Sequence, residues 1–353
     1  MLIPIYRFVA IAAGAALLTG LSLASQSGKQ PASKPMVIPV VVVNYFPVDG
    51  DKIDIKTTGD WGDTYLATKA KCEGLTRDLV KALGEGSRYH GYKDKEATPS
   101  LKFEVVGTYV FKEAIPTCPL KVDERAPKTD YNAIMKKIGI QTWVEKKGVK
   151  EVWIWGYDGG KVRLLESNMS SPTGDVSNSD RDNADLPILK STYTVYHYNY
   201  QRALGEAIED HMHQLEAILN WVDGRDRTPA EKWPDLLFWG KFVGSDVSHK
   251  IVTNPARCGW THYAPNSEHD YDWRNTRYVE TDIEDWHPDY VGKTQKMNCE
   301  RWNNDPIQWR VYWLQAIPGM SNGLTYKGKA LRNWWTFVYD WDRAQREKWT
   351  LTY

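Results

Sequence analysis

The stretch from Tyr198 to Asn220 constrains this chain most, because its apolar and acidic residues separate onto two sides of one helix. At about 100° per residue, Leu204, Ile208, Met212, Leu215 and Leu219 share an arc, which predicts a stripe packed on a core. Arg202, Glu206, Glu209, His213 and Glu216 collect on a second arc. Ala203, Ala207 and Ala217 lie between the two and let another segment come close. A solvated helix face normally mixes Lys with Glu, since opposite charges four residues apart help by about 0.2–0.5 kcal/mol and like charges cost as much. Here Arg202 is the only base on the arc, and Glu206 with Asp210 forms a like-charge pair. Such a face is expected to wall a cation site or to join a buried network of ion pairs. His211 falls beside the apolar stripe and is expected to be structural.

Particular chemistry follows from the spacing. His213 and Glu216, a helical His-x-x-Glu pair, can reach one metal ion. A third ligand must come from elsewhere, and the segment Cys258 to Trp273 is the densest polar cluster in the chain. It supplies His262 to complete a His213, Glu216, His262 set. Two His and one Glu with an open position suit a divalent ion, zinc first, which acidifies its bound water. Glu209 or Glu206 then serves as catalytic base. Asn199, Asn266, Asp270, Asp272, Trp273 and Trp334 form the expected substrate-binding set.

Around this helix, segments of strand and helix periodicity alternate. Val37 to Val43 reads as a strand buried on both faces, Thr68 to Leu83 as a helix and Leu101 to Phe111 as a strand. Tyr131 to Val144 reads as a helix, Val149 to Trp155 as a strand, and Thr192 to Tyr198 as a strand feeding the central helix. The expected class is α/β: a mostly parallel sheet with flanking helices over residues 36–220. In such sheets sites form beyond the C-terminal strand ends, which would place Asn44, Asp49, Asp158, Glu166 and Asn199 near the start of the acidic helix. Val162 to Leu165 is a candidate extension of the sheet, and Ser167 to Leu186 reads as a long polar loop.

Residues 221–353 change character, with 13 of the 17 Trp lying there. They read as a loop-rich extension that wraps the α/β core and completes the site. Most of these rings are expected in a core with little regular structure. Trp273, Trp286, Trp334 and Trp335 adjoin Asp or Asn and are the ones placed to stack on sugar rings.

The ends and the cysteines point to export. Arg7, an apolar run from Phe8 and the small residues Ser22 and Ala24 predict a signal peptide over 1–24, followed by a disordered linker over 25–35. Cys72, Cys118, Cys258 and Cys299 are then expected as the disulfides Cys72–Cys118 and Cys258–Cys299. Lys plus Arg and Asp plus Glu both number 45, with no basic run, which excludes a nucleic-acid partner on electrostatic grounds. Nor does the rest of the chain hold an apolar run long enough to stay inserted in a membrane after signal cleavage.

Taken together, Tyr198-Asn199-Tyr200, Gly205-Glu206, Glu209, His213, Glu216, His262-Tyr263-Ala264-Pro265-Asn266, Asp270-Tyr271-Asp272-Trp273 and Asn333-Trp334-Trp335 resemble an uncharacterised group of exported, mostly bacterial α/β proteins. That resemblance implies grouping of these segments and export, and no particular activity. The expected function is an exported metal-dependent hydrolase acting on an extracellular polymer, peptide or glycan. A metal-free glycosidase using paired carboxylates, and a non-catalytic carbohydrate-binding or surface-scaffold protein, are the alternatives.

Overall fold

The run from Val37 to Val43 is β-branched at all but one position, which suits a strand covered on both sides. In the computed structural model, which describes residues 34–59, 61–122 and 124–353, it lies within a five-stranded sheet. The elements that frame the site are β1 (Met36–Tyr45), α1 (Tyr65–Gly86), β2 (Leu101–Phe111), α2 (Tyr131–Ile138), α3 (Ile140–Lys147), β3 (Glu151–Gly156), β4 (Ser167–Ser170), β5 (Tyr193–Asn199) and α4 (Leu204–Asp223). The strand order is β2-β1-β3-β5-β4, parallel throughout except for β4, which runs antiparallel to β5 at one edge. The fold is α/β with a mostly parallel sheet, as the alternation of periods predicts.

Alternating side chains send the sheet's two faces to different helices. On one face, the indole of Trp155 donates to Thr76 of α1 at 2.9 Å. His211 of α4 stacks on Tyr196 at 3.8 Å and meets the Tyr198 hydroxyl at 2.8 Å. Burial holds the His211 pKa down at about 3, so this ring is a neutral packing piece, the structural role expected of it. On the other face, Tyr109 donates to the carbonyl of Ile138 at the end of α2 and accepts from Trp143 of α3. The Trp143 ring lies so close to β2 that a Cβ at Gly107 would sit 2.5 Å from it.

Several local expectations are corrected. The helix expected over Tyr131 to Val144 is two helices, broken where Gly139 adopts φ +66°. Val162 to Leu165 is not a strand; Ser167–Ser170, read as loop, pairs with β5 instead. Tyr198 and Asn199 belong to β5, so the central helix starts only at Leu204. The region after 220 packs onto α4 and α1, chiefly through α5 (Pro306–Leu314). Eight of its Trp are buried, Trp239, Trp286, Trp302, Trp309, Trp313, Trp334, Trp335 and Trp341, and so serve as core. The signal peptide and all but the end of the linker lie outside the described residues. Among the described residues, no helix is long and apolar enough to cross a membrane.

All four cysteines are free thiols, contrary to the expected pairing. Cys72 sits on α1, against one face of the sheet. Cys118 is held by a backbone bond to Lys128 beside Thr129, whose hydroxyl approaches His197 on the opposite face. The sheet thus separates Cys72 from Cys118, and a bridge cannot pass through it. Cys258 is buried near Tyr89 and Tyr92, whereas Cys299 opens a turn bonded to Asn275. Denatured without reductant, the chain is expected to take up four equivalents of iodoacetamide, counted by mass spectrometry.

One buried acid makes the sheet sensitive to pH. Glu151 lies within β3, accepting from Trp153 at 2.8 Å through Oε2 while Oε1 has no partner. Burial pushes its pKa up from 4.5 to about 8. Folding therefore favours the protonated acid, and this contribution is complete below the unfolded pKa and lost as pH rises through the folded one. Between pH 5 and 8 it weakens by up to about 1.4 kcal/mol per unit. Glu151→Gln should flatten that slope, read as urea midpoints across this pH range, and should be the more stable variant above pH 8.

Candidate histidine–carboxylate centre

α4 carries its acids inward: Glu209, Asp210, His213 and Glu216 are all buried. Spacings of three and four residues align them along the helix. From the other side, the loop after Cys258 brings His262 over the helix. His213 Nε2 and His262 Nε2 lie 3.0 Å apart. Glu209 Oε1 is 3.3 Å from the second and 3.8 Å from the first. Among the described residues, Glu209, His213 and His262 are the one group of three such residues that could hold a metal ion.

What lies behind the imidazoles fixes their chemistry. Glu216 Oε2 meets His213 Nδ1 at 3.3 Å, and its other oxygen accepts from the backbone N–H of Thr261 at 2.7 Å. Asp270 meets His262 Nδ1 at 2.9 Å. Both Nδ1 atoms are therefore donors, and both Nε2 atoms turn towards each other and Glu209. Two neutral imidazoles held this way would oppose their lone pairs, so the arrangement requires positive charge between them: a proton or a metal ion. The protein supplies the proton when no metal is bound. Burial works against the His213 imidazolium, but Glu209 and Glu216 override it and hold the pKa at about 10.

Glu209 answers to a second cation. Arg310 of α5 pairs with its Oε2 while lying against the Trp273 ring at 4.3 Å. Burial alone would raise the Glu209 pKa, yet His213, His262 and Arg310 pull it well below the usual carboxylate range. Tyr271 covers one face of His262 at 4.1 Å and Trp260 the other at 4.9 Å. Trp260, His213 and His262 also line a cavity of about 330 Å³ that reaches Glu166.

The expected site residues divide into three groups. His213, His262 and Glu209 converge. Glu216 does not join them: it holds the far nitrogen of His213, so it and Glu209 exchange the parts of ligand and neighbour. Asn199 and Glu206 line a different, larger cavity of about 700 Å³ at the C-terminal ends of β3 and β5, together with Asp158 and Glu166. Asn44 instead donates to Tyr109 within the sheet, and Asp49 is exposed in a hairpin, so neither reaches the site. The substrate-binding set is largely corrected. Trp334 is fully buried and donates to Leu351. Asn266 donates to the carbonyls of Asn275 and Arg277, and Asp272 accepts from Glu268 and Asn275, so both knit the loop. Asp270 orients His262, and Trp273 supports Arg310.

Three residues escape sequence reading. Arg310 leaves a signal, a lone base inside an apolar aromatic helix. Asp210 was visible only as a like-charge neighbour of Glu206. Burial and then Glu166 and Glu206 raise its pKa well above the ordinary value, while Glu206 is pushed up to about 7, mainly by burial. His197 gives no signal at all, being one ring in an aromatic strand.

Fold and site together define an α/β protein with a histidine–carboxylate centre on the helix that follows its last parallel strand. No family model matches the chain, and no curated protein matches it either.

Because Glu209 and Arg310 are both buried, removing one leaves the other charge uncompensated. Arg310→Met should cost about 3–5 kcal/mol, and adding Glu209→Gln should recover much of that loss; urea denaturation of the two variants measures both.

Proposed function

We propose that this protein is an exported metal-dependent hydrolase in which Glu209, His213 and His262 hold one divalent ion, zinc before others. The observation that carries this reading is the pair of Nε2 atoms aimed at a shared point with a carboxylate behind each ring. Carboxylate–imidazole pairs of this kind fix the tautomer and strengthen the ligand. The spacing also suits zinc. Bonds of about 2.0–2.1 Å put tetrahedral donor atoms about 3.3 Å apart, against separations of 3.0, 3.3 and 3.8 Å here. Glu209 offers Oε1 alone, since Arg310 takes the other oxygen. Three protein ligands leave the open position that a hydrolytic site needs, where a bound water becomes acidic near neutral pH. The N-terminal segment supports export, and the substrate is then an extracellular polymer.

Elemental analysis tests the centre. Wild type dialysed against zinc should retain one equivalent, and His213→Ala or His262→Ala less than a tenth of it. Equal zinc in wild type and His213→Ala would reject the reading and leave a buried ion network. The proton on His213 must leave before a metal binds. Apparent affinity should therefore rise roughly tenfold per pH unit from pH 7 towards the His213 pKa of about 10. Glu216→Gln should weaken binding about 10–100-fold, measured by competition with a chromophoric chelator.

A further inference from the structure

The 700 Å³ cavity beside the centre is lined by residues with buried polar atoms that have no partner among the described residues. Asp210 is 4 % exposed and lines the cavity, and among the described residues its carboxyl group meets no hydrogen-bond or ion-pair partner. Glu206 pairs with Arg202 through Oε1 at 2.9 Å, but its Oε2 is buried without a partner. His197, 2 % exposed, lines the same cavity with Nε2 unpartnered. The Tyr131 hydroxyl accepts from the Leu165 N–H, so its own proton is free for His197 Nδ1 at 3.3 Å. That leaves Nε2 of a neutral His197 as a donor. Buried polar groups left open in this way are costly, and here they surround one space of ligand size.

The chemistry of these groups selects the ligand. Glu206, Asp210 and Glu166 present carboxyl groups close enough to repel one another. Two arginines also line the cavity: Arg163 is engaged by Asp180 at 3.0 Å and Glu124 at 3.4 Å, and Arg125 is exposed. A positively charged donor is therefore favoured, with a hydrogen-bond acceptor for His197 nearby. Among the described residues no Trp, Tyr or Phe lines the cavity, so they offer no ring on which a sugar could stack. Position narrows the choice further. Glu166 lines both this cavity and the one that reaches His213 and His262. Along α4, Glu206 precedes Glu209 and Asp210 precedes His213 by three residues, a rise of about 4.5 Å. That is close to the span of one amino-acid residue.

We propose that this cavity holds the free amino terminus of a peptide, with Glu206 and Asp210 taking the ammonium group and His197 a backbone oxygen. This deepens the hydrolase reading, on which it rests for its chemistry: the first peptide bond is set opposite the histidines. The protein would then act on unblocked peptides, one residue from the amino end.

Binding to zinc-stripped wild type separates this proposal from the metal reading. Calorimetric titration should show leucinamide bound and N-acetyl-leucinamide at least tenfold weaker. Asp210→Asn should lose at least tenfold towards leucinamide while retaining the wild-type circular dichroism spectrum. Equal binding of the two amides, binding of neither, or a preference for glucosamine over leucinamide would overturn the proposal, and each can be read from wild type alone.

Discussion

Two imidazole nitrogens 3.0 Å apart, each with its opposite nitrogen committed to a carboxylate, set the terms for the rest of the site. Such a pair cannot be neutral and relaxed, because the lone pairs would face each other across a space with little water. Positive charge is required there, and the surroundings are arranged to welcome it. Glu209 stands beside the gap, Glu216 and Asp270 stand behind the rings, and the Thr261 N–H keeps Glu216 in place. Arg310 then balances the part of Glu209 that the histidines do not use. A plain structural salt bridge needs one acid and one base; two rings locked by separate carboxylates go beyond that requirement.

The fold explains why these groups can be held so closely. β5 delivers the chain to α4, and α4 is buried along almost its whole length rather than on one face. Its apolar side packs on the sheet through His211 and Tyr196, while its acidic side is roofed by the segment after residue 220. The Trp in that segment provide the rigidity. Trp313 donates to Gly259 just before the His262 loop, and Trp273 donates to Thr261 within it. The aromatic excess is thus mainly core, as expected of most of these rings, and Trp286, Trp334 and Trp335, set apart by their Asp and Asn neighbours, are buried with the rest.

The sheet was largely legible in sequence because period-two and continuous apolar runs reflect burial directly. β1, β2, β3 and β5 fall close to where the pattern puts them. The breaks were less legible: Gly139 splits a helix whose hydrophobic spacing continues across it, and β4 is too short and polar to show a pattern. Within the site, the acidic arc and both histidines could be read from periodicity and local density. The exchange between Glu209 and Glu216 could not. Both lie one turn from His213, and an imidazole has a nitrogen at each end, so spacing permits either carboxylate on either side. Only the direction from which His262 approaches decides which nitrogen faces the centre. The disulfide expectation failed for a related reason, since proximity in sequence says nothing about the sheet standing between Cys72 and Cys118.

Charge accounting ties the two halves of the chain together. α4 places Glu206, Glu209, Asp210 and Glu216 within three turns, and its own cation there is His213 alone. The other positive partners are Arg202 just before the helix, which pairs with Glu206, and, from the C-terminal region, His262 of the loop and Arg310 of α5, which meet Glu209. Without that region, Glu209 would lose both His262 and Arg310, and no histidine pair would exist. Glu209 and Glu216 gain His262, Arg310 and the Thr261 N–H only from the C-terminal segment. The Trp-rich segment therefore completes the centre, and the boundary near residue 220 marks a change in composition within one compact unit, Lys34–Tyr353.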